Sequence, residues 1–169
     1  DLPKDVTVGR AKARPSTRIE QHPGAPHGRD IAQARALLAA AQRPVIYAGG
    51  GVGIAHAEAA LQRFHHITRA PAVCTLKGLG GVDAHDPLYL GMLGMHGNQS
   101  ANFAVDEADL LIVVGARFDD RATGKLDTFA PKAQVIHLDA DAAEIGKLRR
   151  ADVSLHGDLA RSLDAIAMP

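Results

Sequence analysis

Apolar residues recur along this chain in two alternating rhythms. From Asp30 onward, Ile31, Ala34, Leu37, Leu38 and Ala41 fall at helical spacing, which predicts a helix capped by Asp30 and closed before Pro44. A continuous apolar run, Val45-Ile46-Tyr47-Ala48, then ends in Gly49-Gly50-Gly51, the pattern of a buried strand entering a tight loop. The helical rhythm returns from about Ala55 to Thr68, with Ala57, Ala60, Leu61, Phe64 and Ile67 on one face, and Ala72 to Thr75 reads as the next strand. Further strands are predicted at Leu110 to Val114, Val135 to Leu138 and Val153 to Leu155, and helices near Asn102 to Glu107, Ala142 to Leu148 and Asp158 to Ile166. Short β-branched strands alternating with helices predict an α/β fold: a doubly wound, Rossmann-like parallel sheet with helices on both faces.

The first residues break this rhythm. Pro3, Pro15, Pro23, Gly24, Pro26 and Gly28 occur with no sustained apolar period, which predicts an extended linker over residues 1–29 and a domain proper over 30–169. A length of 169 residues with 46% hydrophobic residues suits one domain with one core. Lysine plus arginine equals aspartate plus glutamate at 19 each, so no overall field draws the chain to nucleic acid or an anionic membrane. No apolar run approaches a membrane span, and Asp1-Leu2-Pro3-Lys4 is not a signal peptide. The lone Cys74 forms no internal disulfide and reads as a structural residue, and a reducing cytoplasm is the expected compartment.

In an open parallel sheet, ligands bind outside the carboxyl ends of the strands. Those ends are Gly49-Gly50-Gly51, Thr75-Leu76-Lys77-Gly78, Gly115-Ala116-Arg117-Phe118-Asp119-Asp120-Arg121, Asp139-Ala140-Asp141 and Gly157-Asp158. Glycines allow close backbone approach, helix N-termini hold phosphate, and Arg117 and Arg121 offer charge-assisted hydrogen bonds, so a dinucleotide is the natural guest. NAD is disfavoured: Gly49 to Gly53 fits G-x-G-x-x-G in neither frame, because Ile54 or His56 takes the third glycine position. Asp139, at the end of a later strand, is the better candidate for gripping a ribose. Asp119-Asp120 are chain neighbours, which usually point apart, so the pair is not read as an acid–base couple, and His65-His66 is expected to be solvated on a surface helix. The stretch Leu90 to Gly97 has too many glycines for a helix and too many large apolar residues for a solvent loop; packing against a flat ligand and ordinary core packing both account for it.

Several of these segments resemble one enzyme family. Arg43 to Gly51, Thr75 to Gly80, Leu90 to Gly97, His137 to Asp141 with Ala143-Glu144, and above all Gly115 to Leu126 are similar to the acetolactate synthase large subunit, closest to the bacterial isozyme II type. The match runs from about Arg43 to Asp158, and residues 7–42 match poorly. The opening Asp1 to Val6 resembles the point where that family leaves its N-terminal domain, so an excised central domain is expected. The resemblance implies a six-stranded central sheet that binds FAD in an extended form without a redox role in the net reaction. Thiamine diphosphate, its activating glutamate and Mg2+ would be held by N- and C-terminal domains outside this chain. The reaction implied joins two 2-ketoacids, pyruvate with pyruvate or 2-ketobutyrate, in branched-chain amino-acid synthesis. A homodimer of catalytic subunits with a small regulatory subunit is implied as well.

Carried over by motif, the FAD contacts are Gly50, Thr75, Leu76, Leu93, Gly94, Met95, His96, Gly115, Ala116, Arg117, Phe118, Asp119, Asp139, Ala140, Asp158 and Leu159. Arg121 would bind the acceptor carboxylate, Met95 would line the substrate channel, and Asp120 and Arg121 fall where the family's herbicides bind. No catalytic or metal-ligating residue is expected within this chain, so it should be inactive alone. Ala122 and Ala140 stand where many members carry larger aliphatic residues, and the tryptophan that helps select the acceptor is absent. Two alternatives remain at this point: the middle domain of another thiamine-dependent carboligase or decarboxylase, and a non-catalytic nucleotide-binding module.

Overall fold

The computed structural model describes residues 24–167, so the linker expected over 1–29 lies almost wholly outside the described residues. Helix α1 (Gly28–Ala40) leads into strand β1 (Pro44–Ala48), a short α2 (Gly51–Ile54) and α3 (Glu58–Thr68). Strand β2 (Ala72–Cys74), a 3-10 turn (Leu76–Gly78), β3 (Tyr89–Met92), α4 (Gln99–Glu107) and β4 (Leu110–Val114) follow. The chain ends with α5 (Asp120–Thr123), a second 3-10 turn (Leu126–Thr128), β5 (Gln134–Asp139), β6 (Val153–His156) and α6 (Leu159–Ala167). All six strands pair in parallel, in the order β3-β2-β1-β4-β5-β6. The order reverses between β1 and β4, which makes their carboxyl ends the switch point of a doubly wound sheet.

Side-chain alternation splits the core into two layers. Ile46, Ala48, Ile112, Val114, Ile136 and Leu138 face α1, α3 and α6, where Ala34, Leu61, Phe64 and Leu163 meet them. Val45, Tyr47, Leu111, Val113 and Val135 face the opposite way, toward Ala101 and Val105 of α4 and toward Phe118 and Ala130 from the segment after β4. Helices therefore cover both faces unequally, and irregular chain completes the second layer.

Five strands were legible as apolar runs; β3 was not. Its half-buried Tyr89-Leu90-Gly91-Met92 contains Gly91 at φ +89, and its pairing to β2 shifts register between Ala72 and Val73. An irregular edge strand carries no clean period to read. The helix expected over Ala142 to Leu148 does not form: residues 142–149 are turns and bends, braced by the Asp141 carboxylate accepting from the Ala143 N–H at 2.9 Å. Asp30 does not cap α1; His27 occupies the cap and Asp30 lies in the first turn, where its charge suits the helix dipole. The second helix begins at Glu58, with Gly51–Ile54 forming a separate turn.

On α3, Ile67 is 61% exposed whereas His65 is 2% exposed, the reverse of the expectation for both residues. His65 Nδ1 lies 3.0 Å from the Ala70 carbonyl, and its Nε2 is 3.4 Å from Asp86 Oδ2, which His66 also approaches. Asp86 accepts the Leu88 N–H at 2.8 Å, and that bond, with the two imidazoles, holds its carboxyl below the usual carboxylate range. His65 is thus a polar strut inside the core. Cys74 is buried beside the Tyr89 hydroxyl at 2.9 Å, and burial pushes its thiol up, in keeping with a structural role.

Candidate functional site at the carboxyl edge of the sheet

Because every strand is parallel, the predicted loops share one edge. At its centre three glycines press together: a Cβ on Gly51 would lie 2.7 Å from Gly115 Cα, and Gly115 itself sits at φ +56. Gly51 N–H donates to the Gly115 carbonyl at 2.9 Å and Gly49 N–H to Val114 at 2.8 Å, stitching the β1 loop to the β4 loop. These glycines serve backbone-to-backbone packing before any ligand arrives. Gly50 faces the β2 loop, where its Cβ would meet Lys77 Cβ at 2.8 Å. Thr75 caps the following 3-10 turn, its hydroxyl accepting from Gly78 N–H at 3.1 Å, and leaves Leu76 68% exposed.

Among the described residues, the backbone N–H groups of Gly50, Ala116 and Arg117 have no backbone acceptor. Asp139 uses Oδ1 to accept the Asp141 N–H at 2.9 Å, and Ala140 is exposed beside it. Amides without backbone acceptors at the switch point and a carboxylate on the neighbouring strand β5 are the donor and acceptor types that a diphosphate and a ribose require, so the edge fits a nucleotide. Asp158 is committed elsewhere: its Oδ1 accepts the Arg161 N–H at 2.8 Å and its own N–H donates to Gly24.

Four of the predicted contact residues turn their side chains into the core. Leu93, Ala116, Phe118 and Leu159 are 1–3% exposed, so little of any of them, side chain or backbone, reaches the surface. Phe118 adopts φ +59, a left-handed conformation that costs about 1–3 kcal/mol in a non-glycine residue. Its ring packs edge-on against Tyr47 and against His137, each with centroids 5.6 Å away, and Phe129 completes the group. The Tyr47 hydroxyl is buried without a hydrogen-bond partner among the described residues, and burial, with the Asp119 charge, pushes its pKa well up. Neither Tyr47 nor His137 was singled out from sequence, since each reads there as part of a strand.

Turning Phe118 inward turns its neighbours outward. Arg117 and Asp119 are exposed and paired at 3.0 Å, and that hydrogen bond, with the charges of Asp119, Glu144 and Asp139, raises the guanidinium pKa. An anion binding Arg117 would have to share it with carboxylates already present. Arg121 differs: no carboxylate pairs with its exposed side chain among the described residues.

The β3 loop closes on this segment. Met95 N–H donates to the Arg121 carbonyl at 3.1 Å, and a Cβ on Gly94 would lie 2.9 Å from Ala122 Cα. Asn102 of α4 brackets Gly94, accepting its N–H at 2.8 Å and donating to its carbonyl at 3.1 Å. Met95 is 70% exposed beside a hollow of about 510 Å³ lined also by Phe103, Ala122 and Phe129. His96 and Asp120 are exposed nearby. The backbone of Met95 thus meets that of the neighbouring pair Asp120-Arg121 across two loops distant in sequence, and all three side chains are exposed.

Comparison with known proteins gives this arrangement a family. Residues 31–166 match the model described as thiamine pyrophosphate enzyme, central domain. The chain is 56% identical to the acetolactate synthase isozyme 2 large subunit of Escherichia coli strain K12, over 100% of the chain and 31% of that relative. It is 49% identical to the acetolactate synthase large subunit of Parasynechococcus marenigrum, over 96% of the chain and 27% of the relative. It is 48% identical to acetolactate synthase of Mycobacterium avium, over 94% and 26%. The chain thus spans under a third of the length of these relatives. With a match across nearly all described residues, it belongs to the thiamine pyrophosphate enzyme central-domain family.

Proposed function

We propose that this chain is the central domain of an acetolactate synthase large subunit, binding FAD along the carboxyl edge of its sheet and presenting Arg121 to a shared active site. The observation that carries the reading is the Met95–Arg121 junction, where a backbone hydrogen bond joins the exposed Met95 to the exposed Arg121, whose guanidinium pairs with no carboxylate among the described residues. A 2-ketoacid offers a carboxylate and a small apolar tail. A planar fork binds such a carboxylate in two places at once, which lysine does not reproduce. The identity to acetolactate synthases of three organisms supports the same reading.

In this proposal the amides of Gly50 and Arg117, which lack backbone acceptors among the described residues, face the diphosphate of FAD, Ala116 lies between them and the core, and Asp139 takes ribose hydroxyls. Leu93, Phe118 and Leu159, all buried, support the path from the core, while Thr75, Leu76, Gly94 to His96, Gly115, Asp119, Ala140 and Asp158 border it. FAD when bound supplies a structural wall and no electrons to the net reaction. Thiamine diphosphate and Mg2+ belong to domains outside residues 30–169, with which this domain would be joined in a cytoplasmic enzyme of two catalytic subunits and a regulatory subunit.

Absorbance titration of the purified chain with FAD, checked by calorimetry, is expected to show saturable one-to-one binding; no binding by either the chain or the full-length enzyme would refute the FAD assignment. In the full-length enzyme, Arg121→Ala is expected to lower use of the second ketoacid about 100-fold while leaving FAD affinity within about threefold, the loss of a charged, bidentate contact. Unchanged acceptor kinetics would remove Arg121 from that role.

A further inference from the structure

The conformation of the β4–α5 loop depends on one buried side chain outside it. His137 stands on β5 in the row Tyr47–Val113–His137, which crosses β1, β4 and β5 in register. It is fully buried, and its Nε2 lies 2.9 Å from the carbonyl oxygen of Ala116. A carbonyl only accepts, so Nε2 carries the proton and Nδ1 is left as a bare acceptor, which has no partner among the described residues. The same ring forms one wall of the slot that receives Phe118, with Tyr47 as the other. His137 thus grips the loop twice, through the Ala116 carbonyl and through the ring of Phe118, on either side of Arg117.

We infer that His137 is the positioning residue of this site: it holds Ala116 and Phe118 so that Arg117, Asp119 and Arg121 point outward from the sheet edge. The inference rests on the reading of that loop as ligand-facing, and it adds a residue that touches no ligand. Packing alone does not account for the geometry. An apolar side chain of equal volume would fill the slot but strand the Ala116 carbonyl, which lies in a residue 2% exposed. Glutamine, by contrast, places an N–H near the position of imidazole Nε2.

The test compares His137→Met with His137→Gln in the full-length enzyme by hydrogen exchange and mass spectrometry. In His137→Met, the peptide covering 115–123 is expected to exchange about tenfold faster, as a lost buried hydrogen bond predicts, with β1 and α3 unchanged. His137→Gln is expected to restore slow exchange and to keep FAD affinity, which His137→Met lowers by a similar factor. Equal exchange in all three proteins, or glutamine behaving as methionine does, overturns the inference. Should His137→Met unfold globally, 15N spectra of histidine-labelled wild-type protein decide: a proton on Nε2 supports the inference and one on Nδ1 refutes it. Absence of FAD binding in the wild type would refute the cofactor reading and leave the exchange result intact.

Discussion

At the scale of single residues, the sharpest constraint is steric. Gly51→Ala and Gly115→Ala each drive a methyl to 2.7 Å from opposing backbone, and Gly115 also needs φ +56. Each should cost about 2–4 kcal/mol in urea unfolding, combining overpacking with strain. Gly53→Ala is the control: its Cβ meets only Glu58 Oε1 at 3.7 Å within a helical turn, and stability should stay equal or rise by about 0.5 kcal/mol. A loss as large at Gly53 would discredit the steric account. His137 gives a second residue-scale expectation. Burial lowers its pKa from the ordinary 6.5, partly opposed by Asp139, the Ala116 carbonyl and Glu144. The unfolded chain therefore binds the proton more readily, so His137 favours folding above that value, and stability falls as pH drops below about 6.5. The urea midpoint of His137→Gln should lack this part of the slope; parallel pH profiles would contradict it. In sequence these roles were invisible, because a buried histidine and an outward one are written alike. His65 shows the same limit: only the fold brings Ala70 and Asp86 around it.

At the scale of elements, irregular segments are held by side chains that bond to backbone. Arg149 donates to the carbonyls of Phe129, Ala130 and Ala133, tying the bends after β5 to the segment that carries Phe129 beneath the site. Arg149→Ala should cost about 2–3 kcal/mol, since Ala130 is 1% exposed and its carbonyl would lose its charged donor. Arg149→Lys should rescue little, because one ammonium cannot span three acceptors. Thermal unfolding of the pair checks both statements, and full rescue by lysine would contradict the geometry. Arg63–Asp164 between α3 and α6 is the contrast: at 2.8 Å, but with both side chains at least half exposed, its removal should cost about 0.5 kcal/mol or less. Elements with regular burial were legible, β1 and β4 as continuous apolar runs and α6 as a helical period. Ala142 to Leu148 misled because its apolar spacing mimics a helix, while Asp141 and Gly146 at φ +71 turn the chain instead.

For the molecule as a whole, the order β3-β2-β1-β4-β5-β6 converts a linear pattern into a site. Parallel strands guarantee that the candidate loops meet on one edge, and for this reason their shared position was legible in the sequence. What the pattern could not supply was direction: Phe118 inward, Arg117 outward, and Met95 against Arg121 all depend on a left-handed residue and on contacts across strands. The glycine seam between the β1 and β4 loops has a consequence for variation. Its members can accept no side chain, so the floor of the crevice is closed to change by mutation, whereas the rim at Met95, Arg117, Asp120, Arg121 and Ala140 is exposed and can be substituted without a steric clash, at a cost in binding rather than in folding. Diversification of ligand preference in such a domain, by natural drift or in a laboratory library, is therefore channelled to the rim, and libraries that spend diversity on the seam sample mainly unfolded chains.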